Sequence, residues 1–255
     1  MDGTLTPPRE SIDTSVLDAM SSLFSLEGVQ IGIVSGSPYY YIDQQISNLL
    51  QICPSKTSIM PCNGTQLFEW DKDLEVYNNL YETDMKSFMG EKEYSHLVRH
   101  VLELQLQFVN ENLKFYALTG QFISYRKSML NWAMVGRDAE SSERTRFIDL
   151  DQSKNIRMHM RDALRVRLDT SGIPGIDLNL GGSTSIDIHP NGWDKTHALR
   201  HCTGDVWFVG DKCTPGGNDY SLWKKLGANK GFSTTGPKET IRIINEIIIP
   251  GIQGA

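Results

Sequence analysis

Val206-Trp207-Phe208-Val209-Gly210-Asp211-Lys212-Cys213-Thr214-Pro215-Gly216-Gly217-Asn218-Asp219 starts as an apolar run and ends in a loop that carries two carboxylates. A short, continuous apolar run bounded by glycine reads as a strand buried on both faces of a parallel sheet. Open α/β sheets bind ligands outside the carboxyl ends of their strands. Here that end delivers Asp211 and, after the Gly216-Gly217 turn, Asp219. Hard oxygen donors at such a place suit a Mg²⁺ ion bridging to a phosphate. Two other runs, Val29 to Val34 and Ser58 to Asn63, have the same character. Helical patterns at Thr14 to Leu26, Tyr40 to Leu50, Asp194 to Arg200 and Lys238 to Ile248 accompany them, which predicts an α/β core assembled from both ends of the chain.

The middle of the chain has a different period. A long helix is predicted around Tyr94 to Val109, followed by alternating segments Gln121 to Arg126 and Met129 to Val135 joined by a turn at Lys127-Ser128. Helices at Ser141 to Phe147 and Ser153 to Leu168 and a strand near Ile176 to Leu180 complete it. The expected fold is therefore a Rossmann-like core with a parallel sheet, plus an inserted α+β domain with an antiparallel sheet. The expected limits are core 1–82, insertion 83–180 and core 181–255.

Composition narrows the function. A length of 255 residues, 39% hydrophobic and 22% charged, describes a folded chain able to bury a sizeable interior. The net charge of -6 argues against general nucleic-acid binding, so an anionic substrate must meet a local group of cations. No apolar run reaches the roughly 20 residues of a membrane span, and the N-terminus lacks the basic and apolar regions of a signal peptide, so the expected location is the cytoplasm. Cys53, Cys62, Cys202 and Cys213 form no Cys-x-x-Cys pair and read as reduced structural thiols, and the histidines form no zinc-binding spacing.

Two residues add chemistry to the Asp211 loop. Ser35 closes the run Ile33-Val34-Ser35 before a helix, where its hydroxyl and the following N–H groups can hold a phosphate, or simply cap the helix. Lys195 begins a helix after Gly192-Trp193-Asp194 and can neutralise charge on a transferring phosphoryl group; its alternative reading is a solvated surface lysine.

Asp2-Gly3-Thr4 near the start, Ser35-Gly36-Ser37, Lys195 and the Gly210 to Asp219 loop resemble, in this order, the four motifs of the haloacid dehalogenase superfamily. The resemblance extends through Cys62-Asn63-Gly64-Thr65, Phe122 to Arg126, Met129-Leu130-Asn131, Val135-Gly136-Arg137, Ser142-Glu143-Arg144 and Ser185-Ile186-Asp187. Over essentially the whole chain it is similar to eukaryotic-type phosphomannomutase. The resemblance implies interconversion of mannose 6-phosphate and mannose 1-phosphate, through an aspartyl-phosphate and a hexose 1,6-bisphosphate activator, for GDP-mannose synthesis. It implies Asp2 as general acid/base, Ser35 and Lys195 as catalytic partners, and Mg²⁺ held by Asp2, Asp211 and Asp219. It implies hexose phosphate contacts from Arg9, Arg126, Arg137, Arg144, Ser185 and Asp187, and a homodimer formed through the cap, the inserted domain. A second phosphate site far from the reacting one is what a mutase needs and a phosphatase does not, and the planar guanidinium fork suits it. The pattern Asp-x-Asp-Gly-Thr places Met1 at its middle position, so the expectation is of an incomplete chain whose upstream strand carries the nucleophilic aspartate. A sugar-phosphate phosphatase and a non-catalytic sugar-phosphate-binding paralogue remain as alternatives.

Overall fold

The computed structural model describes residues 1–112 and 118–254. The chain forms two units, Met1–Glu82 with Trp193–Ala255, and Thr83–Gly192. In the first unit, Asp13 caps α1 (Thr14–Phe24) by accepting the Ser15 N–H at 2.8 Å, and Val16, Met20 and Leu23 form its buried stripe. Next come β1 (Ile31–Val34), α2 (Tyr39–Ile52), β2 (Thr57–Met60), the single turn α3 (Pro61–Gly64), β3 (Gln66–Asp71) and β4 (Val76–Glu82). β1 and β2 pair in parallel, Ile33 opposite Ile59; β3 and β4 add antiparallel on the β2 side, giving the order β1-β2-β3-β4.

The second unit contains α4 (Met85–Met89), α5 (Glu91–Asn112), β5 (Ile123–Tyr125), β6 (Leu130–Ala133), α6 (Ser141–Lys154), α7 (Ile156–Thr170), β7 (Ile176–Gly181) and β8 (Ser185–Pro190). Its antiparallel sheet has the order β5-β6-β8-β7. The inner strands β6 and β8 are buried along their whole length, as central strands should be. α5 contributes Leu97, Val101, Leu104 and Phe108 to the interior at helical spacing. Between them Gln105, also buried, accepts the Trp132 indole N–H at 2.7 Å and donates to the Met134 carbonyl at 2.9 Å. Gln105→Leu leaves that N–H and that carbonyl without their partner, so the second unit is expected to lose about 2 kcal/mol or more. A urea denaturation midpoint equal to the native one would contradict this. Asn155 joins α6 to α7 in a left-handed conformation with φ 53°, which asparagine adopts more readily than most residues.

The chain returns to the first unit through a 3₁₀ segment (Lys195–His201), β9 (Phe208–Gly210), α8 (Tyr220–Leu226), β10 (Gly231–Ser233) and α9 (Pro237–Ile243). β9 and β10 pair in parallel. The last helix widens into a π segment (Ile244–Ile248) before α10 (Ile249–Gln253), where Pro250 removes a backbone donor. Ile243, Ile244 and Ile248 pack with Val16, Ile33, Ile42, Leu49 and Ile59, and with Met1 and Leu5, so both ends of the chain share one core.

Four expectations need correction. The insertion ends at 192 rather than 180, because β8 runs between β6 and β7 in the antiparallel sheet and carries 185–190 with it. The run Ser58 to Asn63 is not one strand; β2 stops at Met60 and Pro61 opens a turn. Parallel pairing joins two separate pairs, β1 with β2 and β9 with β10, rather than one continuous sheet. The helical pattern at Asp194 to Arg200 is a 3₁₀ segment, Lys195–His201, capped by Asp194, rather than an α-helix. Among the described residues no helix is long and apolar enough to cross a membrane, and the four cysteines are free thiols.

Candidate active site

Residues 1–6 wind around one carbonyl: the N–H groups of Thr4, Leu5 and Thr6 point to Met1 O at 3.0, 2.8 and 3.3 Å. Gly3, at φ 73°, lies so close to Asp211 that a Cβ would stand 2.5 Å from Asp211 Oδ2. Only glycine fits there. Thr4 adds a hydroxyl donor to Asp211 Oδ1 at 3.4 Å, and its carbonyl accepts the buried Thr240 hydroxyl at 2.8 Å. Asp2, next in line, accepts the Arg9 backbone N–H at 3.2 Å. Thus the first turn and the loop after β9, which lie at opposite ends of the sequence, meet.

Lys195 is 5% exposed and its Nζ lies 2.5 Å from Asp219 Oδ1. Asp194 caps the segment by accepting the Thr196 N–H at 2.8 Å, which aims Lys195 at the start of the 3₁₀ turn. The other oxygen of Asp219 accepts the Lys212 N–H at 2.9 Å. Burial works to raise the Asp219 pKa, but the charge and hydrogen bond of Lys195 and the Lys212 N–H outweigh it and lower it to about 2. Asp211 moves the other way: burial and then the Asp219 charge raise its pKa. Two carboxylates with opposite shifts on one loop divide the work. Asp219 anchors the loop and the lysine, and Asp211 is the carboxylate whose charge lacks full compensation. Cys213, on the same loop, is held protonated, with a pKa pushed up to about 11 by burial and then by Asp219.

That donor chemistry fits a divalent cation. A hard cation beside Asp211 would relieve the carboxylate that burial and Asp219 disfavour. Among the described residues no three His, Cys, Asp or Glu side chains converge as a metal cage. Mg²⁺ commonly takes one or two carboxylates and completes its shell with water and phosphate.

Ser35 is buried directly after β1; its N–H donates to Met60 O at 3.2 Å and its Oγ accepts the Ser37 N–H at 3.1 Å. In the second unit, Ser185 and Asp187 lie on one face of β8, and both accept from Asn131 Nδ2, at 2.9 and 2.6 Å. Asn131 sits opposite Asp187 in the β6–β8 register. Sequence reasoning gave it no role, although the period-two alternation of paired strands could have located it. Arg144 donates to Thr184 at 3.1 Å, immediately before Ser185. Arg157, also missed, bonds Asp151 at 2.7 Å and the Gly182 and Ser185 carbonyls at 3.1 and 3.4 Å, fixing the β7–β8 turn. Arg126 precedes the β5–β6 turn and Arg137 follows β6, its N–H bonded to Gln121 O at 3.2 Å. Arg9 belongs to the first unit, beside Asp2. The expected residues therefore fall into two groups: Asp2, Arg9, Ser35, Lys195, Asp211 and Asp219 on the first unit, and Arg126, Arg137, Arg144, Ser185 and Asp187 on the second.

A sequence profile described as eukaryotic phosphomannomutase matches residues 20–250. The chain belongs to the eukaryotic phosphomannomutase family. It is 31% identical over 252 residues to the phosphomannomutase of Schizosaccharomyces pombe, covering 97% of this chain and 91% of that one. It is 30% identical to phosphomannomutase 1 of Homo sapiens, covering 98% and 90%. Among solved structures, a Plasmodium falciparum IMP-nucleotidase superposes with a TM-score of 0.62 at 14% identity, over 97% of this chain and 66% of that longer one. A trehalose-6-phosphate phosphatase of Aspergillus fumigatus matches with a TM-score of 0.50 at 16% identity, over 98% and 90%. These two share the fold of this phosphomannomutase family member, an α/β core with an inserted unit.

Proposed function

We propose that the protein interconverts mannose 6-phosphate and mannose 1-phosphate by way of a hexose 1,6-bisphosphate and an aspartyl-phosphate formed on the first aspartate of the Asp-x-Asp-Gly-Thr pattern, a residue distinct from Asp2, Asp211 and Asp219, supplying GDP-mannose synthesis in the cytoplasm. Family membership supports the reaction. The observation that carries the chemistry is the buried Lys195–Asp219 pair beside Asp211, at the carboxyl end of a parallel strand. Phosphoryl transfer asks little covalent work of a protein; it asks for positioning and for charge placed against the transferring oxygens. Lys195, held in place by Asp219, supplies that charge. Ser35 holds the phosphate by its hydroxyl, and Asp2 exchanges a proton with the sugar hydroxyl that gains or loses the phosphoryl group.

Mg²⁺ would be held through Asp211, with water and the phosphate completing its shell, and would supply Lewis-acid charge to the phosphate oxygens. The three-carboxylate set Asp2, Asp211 and Asp219 expected from the sequence does not converge as a cage among the described residues, and both oxygens of Asp219 are taken by Lys195 and the Lys212 N–H. Arg9, Arg126, Arg137 and Arg144 hold the anionic ends of the sugar phosphate, and Ser185 and Asp187 hold its hydroxyls, oriented by Asn131. The protein works as a homodimer joined through the second unit, where Leu102 and Leu106 form an outward apolar row on α5, 54% and 61% exposed.

The test supplies mannose 1-phosphate, Mg²⁺ and a hexose 1,6-bisphosphate, and follows mannose 6-phosphate and free phosphate together. Bisphosphate-dependent formation of mannose 6-phosphate in excess of free phosphate is expected. Phosphate release that ignores the bisphosphate would replace this reading with a phosphatase.

A further inference from the structure

Cys62, Asn63 and Gly64 are three consecutive residues with left-handed backbones, at φ 50°, 66° and 83°. Glycine adopts this conformation freely and asparagine more readily than most residues; cysteine does so against steric resistance. Such strain persists where the surroundings over-determine it, and it clusters at functional sites. The surroundings here are specific. On one side the Cys62 N–H donates to Ser37 O at 3.1 Å and the Asn63 N–H to Ser35 O at 2.7 Å. On the other side the Gly64 carbonyl accepts from His201 Nε2 at 2.9 Å. Since a carbonyl only accepts, His201 carries its proton on that nitrogen. Gly64 also approaches Ala198 so closely that a Cβ would stand 2.5 Å from Ala198 Cα.

Ser35 and Ser37 form the turn after β1, while Ala198 and His201 lie on the 3₁₀ segment that begins with Lys195. One strained turn therefore touches both the phosphate-holding turn and the segment that presents the lysine. It also commits the carbonyls of Ser35 and Ser37 to N–H donors, so that their negative ends do not face an anion. The Asn63 side-chain oxygen does not hold the turn: buried, it has no hydrogen-bond partner among the described residues. The backbone does the holding.

We propose that the left-handed turn Cys62–Gly64 is a positioning element that sets the spacing between Ser35 and Lys195. The proposal rests on the phosphoryl-transfer roles given above to those two residues. A misplacement of about 1 Å at a reacting centre costs on the order of 100-fold in rate, so the turn's geometry, rather than its side chains, is expected to govern activity.

Two matched pairs of variants in the full chain test it. Asn63→Val opposes the left-handed backbone and Asn63→Gly keeps it while removing the amide. His201→Leu removes the donor to Gly64, and His201→Gln keeps an N–H donor. For each, inorganic phosphate affinity, kcat and KM for mannose 1-phosphate, and melting temperature are measured. Asn63→Val and His201→Leu are expected to lose about tenfold or more in phosphate affinity and in kcat, while Asn63→Gly and His201→Gln recover most of both. Should Asn63→Val fail to fold, the His201 pair decides. A folded His201→Leu protein with native phosphate affinity and native kcat overturns the proposal. So does an Asn63→Gly protein as impaired as Asn63→Val, since the amide would then be the active group. Native protein that binds inorganic phosphate but turns over no hexose phosphate overturns the functional reading instead, and the phosphate-affinity arm still judges the turn.

Discussion

Lys195→Met is expected to lower turnover by about 10²–10³-fold and to destabilise the first unit by roughly 3–5 kcal/mol. The two effects have different origins. Lys195 and Asp219 are both buried, with a 2.5 Å contact between them. Removing the lysine leaves Asp219 as an uncompensated buried charge, which is the costly way to break such a pair. The double variant Lys195→Met with Asp219→Leu is therefore expected to recover most of the stability and none of the turnover. Denaturant midpoints and initial rates on the three proteins separate the contributions. Near-native turnover in the single variant would remove Lys195 from the chemistry, and an unstable double variant would show that the pair is more than a compensated charge. The acid side follows from the same contact. Burial works to raise the Asp219 pKa, but Lys195, with help from the Lys212 N–H, lowers it from 3.8 to about 2. A carboxylate whose folded pKa is depressed contributes stability that is present above the unfolded value and lost as pH falls through the folded one. The contribution is thus intact above about pH 4 and vanishes towards pH 2.

Asp211→Asn should separate function from stability in the opposite direction. Burial and the neighbouring Asp219 raise the Asp211 pKa. A carboxylate with a raised folded pKa favours the unfolded chain once pH exceeds the unfolded value, so at neutral pH the ionised Asp211 is a destabilising charge. Without divalent cation, Asp211→Asn is expected to melt at the native temperature or above it. Its turnover should fall by at least about 100-fold, because the carboxylate that recruits Mg²⁺ is gone. The native protein should also gain melting temperature on addition of Mg²⁺, by mass action, and the variant should gain much less. Equal Mg²⁺-induced shifts in the two proteins would place the ion elsewhere.

The periodic parts of the fold were readable from sequence. α5 announces itself through Leu97, Val101, Leu104 and Phe108 at helical spacing, and the Asp211 loop through an apolar run that ends in carboxylates. The β3–β4 hairpin was missed because its strands are only half-buried, with Leu80 61% exposed, so alternation of polar and apolar residues is weak there. β8 was missed for the opposite reason: every residue from Ser185 to Pro190 is buried, so no alternation exists, and Asp187 and His189 disguise a central strand. The polar residues are tolerated because each is hydrogen-bonded, Asp187 to Asn131 and His189 to Asn179. The site residues were legible by type and order. Their partners were not, because Thr4 with Asp211 and Gly64 with Ala198 are meetings of segments far apart in the chain.

Those long-range meetings also fix a timetable. The Thr240 hydroxyl reaches the Thr4 carbonyl across 236 positions, and Thr4 reaches Asp211 across 207. The unit from Thr83 to Gly192 is continuous in sequence. On a ribosome the chain emerges from its N-terminus, and contacts that are distant in sequence must wait for their second half. The middle of this chain can close while it is still being made; the turn that sets Gly3 and Thr4 against Asp211 must wait for α9. Asp2, Gly3 and Thr4 are made long before the residues that fix them, and the candidate active site is completed only after Asp211 and Thr240 have been made.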